Sequence, residues 1–252
     1  MPAFNPSEPF ADVESIERAT LQAVAPRRIE RLDDWLVPLD DGPIGRARSA
    51  VPLRHRDVDV AALPVIEALY RQHGLPPAFR IADSAGLRPV EERLSAGGLR
   101  AQQPTLVQIG ELPTMRSVSD GEPADVSAAP DDGWAQVFLG EGFDPVDGAG
   151  RVAALSRARN TFYASVRQQG TTVAVGALSI GSGWASVHGM RTVASQRGRG
   201  LAARVLAGIA QAALDRGVRR VFLQVEEAND AARSLYRRAG FATAWRYRYW
   251  RF

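Results

Sequence analysis

The chain has 252 residues, 45% of them apolar, and a formal net charge of +3 from 31 basic and 28 acidic residues; every basic residue is arginine, interleaved with acids as on solvated faces rather than gathered into a nucleic-acid surface. The absence of cysteine excludes disulfides, thiolate metal sites and a cysteine nucleophile, and the histidines (His55, His73, His188) stand singly without metal-site spacing, so no metal is expected. No stretch approaches the ~18 consecutive apolar residues of a membrane helix, and the N-terminus lacks the basic-then-apolar order of a secretory signal, so a cytoplasmic location away from membranes is expected.

In chain order, residues 60–70 (VAALPVIEALY) read as a helix around Pro64, Phe79-Arg80-Ile81 as the start of a short strand, residues 90–96 as a helix running into Gly97-Gly98-Leu99, and residues 106–109 (LVQI) as a strand. Residues 115–133, rich in Ser, Asp, Pro, Ala and Gly, read as a loop. The chain is therefore divided into 1–112, a connection 113–132, and 133–252. In the last part, residues 161–166, 172–180 and 184–193 read as successive strands separated by glycine-containing turns. The period then changes: Leu201, Val205, Leu206, Ile209, Ala210, Ala213 and Leu214 mark an amphipathic helix closed by Gly217. Residues 218–225 form the next strand, Asn229 or Asp230 caps a helix running to about Arg238, Gly240 ends it, and residues 241–252 alternate as a final strand.

Between the third strand of this series and the long helix stands Arg197-Gly198-Arg199-Gly200-Leu201-Ala202. Glycines there let the main chain approach a ligand and leave amide N–H groups at a helix N-terminus aimed at an anion. The run has neither the GxGxxG spacing of a dinucleotide fold nor the GK[ST] ending of a nucleotide-triphosphate loop.

Arg197, Gly200 and Ala202 match the pyrophosphate-loop pattern [RQ]xxGx[GA] of the GNAT superfamily of N-acetyltransferases, and the run Asn229 to Phe241 resembles its N-x-x-A-x-x-L-Y-x-x-x-G-F segment; Ala194 departs from the proline relatives often carry before the loop. The resemblance covers residues 130–252. It implies a mixed α/β fold with a mixed central sheet and acetyl-CoA as cosubstrate. The pyrophosphate would be bound by main-chain amides of Arg197, Gly198, Arg199, Gly200, Leu201 and Ala202, the pantetheine by the strand end at Arg191, Thr192 and Val193, with a cofactor contact from Asn229. Tyr236 is implied as the general acid for the departing thiolate, a role suited to a phenol with pKa near ~10. His188 and Glu226 are the two candidates for the base that neutralises the acceptor amine.

Residues 93–99, aligned beneath 235–241, repeat the helix, glycine, apolar residue, strand ending, so the N-terminal half resembles a degenerate second GNAT domain, with Leu94 in place of the tyrosine and no phosphate loop. The run Trp245 to Trp250 alternates as a closing strand, with Tyr247 and Tyr249 on one face, and is not read as a nucleic-acid surface. The expected activity is acetyl transfer to a primary amine, a small molecule before a protein lysine or N-terminus, with a homodimer as one compatible assembly. The alternative is a non-catalytic acyl-CoA-binding regulatory module.

Overall fold

A computed structural model describes residues 13–140 and 144–252; residues 1–12, on which the absence of a secretory signal was read and with which the unit 1–112 begins, lie outside the described part. The N-terminal half runs α1 (Val13–Val24), β1 (Arg28–Leu32), β2 (Trp35–Leu39), β3 (Val51–Pro52), α2 (Ala62–Gln72), β4 (Phe79–Ala82), α3 (Arg88–Ala96) and β5 (Arg100–Glu111). Next come α4 (Leu112–Arg116), β6 (Asp125–Ser127), α5 (Asp132–Leu139) and α6 (Pro145–Arg157). The remainder is β7 (Thr161–Gln168), β8 (Thr171–Gly181), β9 (Trp184–Thr192), α7 (Leu201–Leu214), β10 (Arg220–Glu226), α8 (Asp230–Arg238) and β11 (Ala242–Arg251).

From residue 161 onward each expected element is present with ends shifted by a residue or two. Two expectations are corrected. The strand read at 106–109 is the middle of a much longer β5, whose first half is too polar to show an apolar run. Residues 115–133, read as loop, hold the end of α4, the edge strand β6 and the first turn of α5. Strand β6 escapes pattern reading because its two terminal residues are exposed and only Val126 is partly buried, while Asp131, whose carboxylate accepts from the Trp134 amide, starts α5 with no apolar period ahead of it.

The two halves repeat one another. The order β1-β2-β3-α2-β4-α3-β5 matches β7-β8-β9-α7-β10-α8-β11. Helices α3 and α8 end alike: Leu99 N donates to Leu94 O and Phe241 N to Tyr236 O, across Gly98 and Gly240 at φ +88° and +83°. Ends of α2 and α7 also agree, with Leu75 N donating to Tyr70 O and Val218 N to Ala213 O across Gly74 and Gly217. The parallel bridge from Ala50 to Phe79 stands where β9 pairs in parallel with β10.

The repeats interlock through their last strands. An eight-stranded mixed sheet has the order β4-β11-β5-β10-β9-β8-β7-β6, so the final strand of each half lies beside the other half's penultimate strand. Side chains of β5 alternate between two cores, Leu106 on one face and Val107 on the other. On the first face α4, α7 and α8 cover the sheet through Leu112, Met115, Leu201, Val205 and Ile209; on the second, α1, α2 and α3 do so through Ile16, Leu63, Ile66 and Leu94. Each such side chain, fully buried, contributes roughly 1.5–3 kcal/mol. Beneath the second face Arg80 of β4 and Glu17 of α1 form an ion pair at 2.6 Å, with side chains 0% and 2% exposed. Among the described residues no helix is long and apolar enough to cross a membrane.

Candidate active site

A local fault in the sheet makes the site. Val175 of β8 faces Arg191 and Ala177 faces His188, so β9 carries an extra residue at the bulge around Gly189 and Met190. Gly189 has φ +58°, and a Cβ there would press on Leu155 and Phe138, so the position takes glycine on both counts. The bulge bends β9 out of its ladder: β9 and β10 pair only from Ala185–Val221 to Val187–Leu223. Beyond that, His188 to Thr192 on one strand and Gln224 to Glu226 on the other line a cavity of about 1010 Å³.

At the mouth of the split the chain passes through the turn singled out by the sequence. Gly198 and Gly200 are left-handed at φ +76° and +77°, and α7 starts at Leu201 with no side-chain cap. The first amide in this stretch with a backbone partner is Ala203, which donates to Gly200 O; those of Gly198 to Ala202 have no backbone partner among the described residues. Together with the positive end of the helix dipole they favour an anion. Gly198, Gly200, Leu201 and Ala202 line the cavity, as does Arg197, whose Nε donates to Thr192 O; Arg199 instead bonds Gln196, leaving its amide as its contribution.

Other expected residues fall around the same space. Tyr236 lines it from α8 with its ring in the core, and burial pushes its phenol up to about 12. Its hydroxyl has no hydrogen-bond partner among the described residues. His188 is buried, its Nε2 donating to Ser186 Oγ at 2.9 Å while that hydroxyl donates to Ser179 O. Burial, then the positive charge of Arg46, hold its pKa down to about 3. Glu226 is exposed at the end of β10 and accepts from Gln103 Nε2 at 2.7 Å. Asn229 lines the cavity and caps α8, its Oδ1 accepting from Ala232 N. Arg191 and Thr192 line the cavity, with Arg191 over the Phe138 ring at 4.8 Å and 3.7 Å from Asp147. Val193 stands apart: its N–H donates to Val173 O, its carbonyl accepts from Gln196 N, and its side chain packs on the apolar cluster around Phe138.

Sequence reasoning missed the wall on the opposite face of the sheet. Arg46 and Arg48 come from the N-terminal half, in the turn after β2, and Tyr247, Tyr249 and Arg251 from alternate positions of β11. Tyr247 donates to Gln224 Oε1 at 2.9 Å, Gln224 Nε2 donates to Thr20 Oγ1 at 2.8 Å, and Arg80 lies 5.1 Å from the Tyr247 ring centre. Alternation in β11 was visible in the sequence; which face meets a cavity depends on the register with β5 and was not.

The turn with its unpaired amides at the helix start, beside this opening in the sheet, is the segment whose sequence resembles the pyrophosphate loop of GNAT N-acetyltransferases, enzymes that use acetyl-CoA and act on amines. The comparisons agree: residues 10–250 match the family described as probable histone acetyltransferase Rv0428c, C-terminal, and the protein belongs to that family. It is 24% identical over 240 residues to the uncharacterized N-acetyltransferase YobR of Bacillus subtilis, spanning 92% of this chain and 95% of that one. Among solved structures it is similar to a GCN5-related N-acetyltransferase from Kribbella flavida (TM-score 0.70, 21% identity, 95% of each chain). It is also similar to a tandem GNAT protein from the clavulanic acid biosynthesis pathway (TM-score 0.61, 15% identity, 95% of this chain and 94% of that one). The chain is thus a GNAT N-acetyltransferase whose N-terminal half is a degenerate copy of the same fold.

Proposed function

We propose that the protein transfers an acetyl group from acetyl-CoA to a small primary amine by direct attack, with Tyr236 as general acid. The observation that carries this reading is the presence in one cavity of the unpartnered Tyr236 hydroxyl and the free amides of Gly198 to Ala202. Those amides suit the pyrophosphate, and the edge of β9 from His188 to Thr192, released from its ladder, suits the amide-bearing pantetheine arm. Acetyl-CoA supplies the thioester. As the new C–N bond forms and the C–S bond breaks, the Tyr236 hydroxyl, kept protonated by burial, gives its proton to the sulfur and takes one back from water once the thiol has left. The amine gives up its proton toward Glu226, whose exposed carboxylate can pass it to water. His188, held at about 3, serves as a neutral hydrogen-bonding group. A small amine is favoured over a histone, the acceptor that the family's description names. Glu226 is the one carboxylate lining the cavity among the described residues, against several arginines that would repel a basic peptide.

Calorimetric titration with acetyl-CoA and a thiol-release assay over a panel of amines test the reading. Tyr236→Phe should lower turnover by roughly 10–1000-fold with acetyl-CoA affinity nearly unchanged. Undiminished turnover would remove the role of Tyr236. Binding by the wild type without release for any amine would favour a regulatory acyl-CoA-binding module.

A further inference from the structure

The cavity passes through the sheet, and its two sides differ in chemistry. On the face covered by α7 and α8 are Tyr236 and the turn at Gly198 to Ala202, the side assigned to the donor. The opposite face, shared with α1, carries Gln224, Tyr247 and Tyr249, and so is left for the acceptor. Here the segment after β2 brings Arg46 and Arg48 against the end of β11. Gly45 sits so close to the Tyr249 ring and the Arg251 guanidinium that a Cβ would collide with both. Asp40 holds this segment in place, accepting from the amides of Arg27 and Gly42 and pairing with Arg157 at 3.3 Å.

The cavity's arginines divide in two. Arg151 and Arg191 pair with Asp147, Arg197 donates to Thr192 O, and Arg238 donates to Ser234 Oγ. Arg46, Arg48 and Arg251 have neither an ion pair nor a hydrogen bond among the described residues, and Arg251 has only the Tyr249 ring beneath it, 4.3 Å from its guanidinium carbon. All three are half-buried, and the Nε atoms of Arg46 and Arg251 are shut off from solvent with no acceptor. Glu17, the nearby carboxylate, is committed to Arg80. Unpaired guanidinium groups gathered in a partly desolvated cavity are costly unless an anion completes them, and their planar forks match carboxylate or phosphate oxygens.

We infer that the acceptor is an amine that also carries an anionic group, a carboxylate or a phosphate, bound by Arg46, Arg48 and Arg251 on the face opposite the donor. This rests on the acetyltransferase reading above and narrows its substrate class. Arg46 and Arg251 are specificity residues that hold the acceptor's anionic end, while Tyr236 faces the reacting sulfur.

The test uses matched pairs. Amino acids are compared with their amides, and 2-aminoethyl phosphate with ethanolamine, in the thiol-release assay; a lysine-rich peptide completes the panel. The anionic member of at least one pair should have the lower KM, by roughly 10–100-fold, and Arg46→Gln or Arg251→Gln should abolish most of that difference while leaving acetyl-CoA affinity as it was. Preference for the carboxylate or for the phosphate series identifies the anion. Equal KM within every pair, preference for the peptide, or loss of acetyl-CoA affinity in the variants would overturn the inference. If acetyl-CoA binds but nothing turns over, the acetyltransferase reading fails separately. The anion site is then read by titrating N-acetyl amino acids, their amides, and N-acetyl-2-aminoethyl phosphate into CoA-saturated protein. Binding of an anionic probe but not its neutral partner, weakened in Arg46→Gln, upholds the site; no anion-dependent binding rejects it. Circular dichroism confirms folding of each variant, and the matched pairs on wild-type protein decide the matter if a variant does not fold.

Discussion

Replacing Glu17 by glutamine should be among the most damaging single changes in the chain. It leaves Arg80, whose side chain is 0% exposed, as a buried cation without its counter-charge at 2.6 Å. Losing one partner of a buried pair costs about 3–5 kcal/mol. In a chain of this size each kcal/mol moves the unfolding midpoint by roughly 2–4 °C, so Tm should drop by about 6–20 °C. Yet the pair is not itself a large stabiliser: burial raises the Glu17 carboxyl above its ordinary value, outweighing the pull of Arg80 beside it. Replacing both residues by methionine should therefore recover most of the loss, to within about 1 kcal/mol of the wild type. Thermal unfolding followed by circular dichroism at neutral pH, with urea titrations of the three proteins, measures both effects. A shift under 2 °C for Glu17→Gln, or a double variant less stable than the single one, would refute this account of the pair.

Two further outcomes follow from the site. Burial holds His188 at about 3 and His55 at about 4, whereas in the unfolded chain both titrate near ~6.5. As pH falls below about 6.5 the unfolded state takes up protons that the folded state refuses. Stability is therefore full above that pH and declines toward pH 4 by about 1.4 kcal/mol per unit for each histidine. Urea unfolding between pH 4.5 and 6 should show His188→Gln losing about half of the histidine slope, and an unchanged slope would mean His188 is not buried neutral. Gly200→Val places a β-branched residue at φ +77°, a strained backbone whatever the open space around it, so it should weaken acetyl-CoA by about 10-fold or more in calorimetric titration and lower stability by roughly 1–2 kcal/mol. Undiminished affinity would show that the turn's amides do not hold the pyrophosphate.

Much of the site was legible where function and local structure use the same residues. The glycines of the turn mark it because left-handed backbone at a helix start needs them, whereas Tyr236 was singled out by the resemblance of residues 229–241 to the GNAT segment and not by local pattern, which fixes only the cap at Asn229 and the stop at Gly240. The base candidates were separated only by surroundings: His188 and Glu226 both sit beside the split, but one is enclosed near Arg46 and the other open. Val193, expected at the pantetheine, donates its N–H to Val173 O and so carries on, past Arg191 and Thr192, the pairing with β8 that β9 keeps after it has parted from β10.

By itself the sequence determined the order of strands and helices from residue 161 onward, the turn before α7, and the kinship of the α3 and α8 endings, because apolar periodicity, glycine placement and capping are local and act over a few neighbours. Only the tertiary structure decided that β5 and β11 exchange between the halves, that the sheet opens past Val187 and Leu223, and that Arg46 and Arg48 of one half meet Arg251 of the other. Those outcomes depend on the register of strands more than a hundred residues apart, such as Arg251 opposite Arg100, and no local pattern encodes that register.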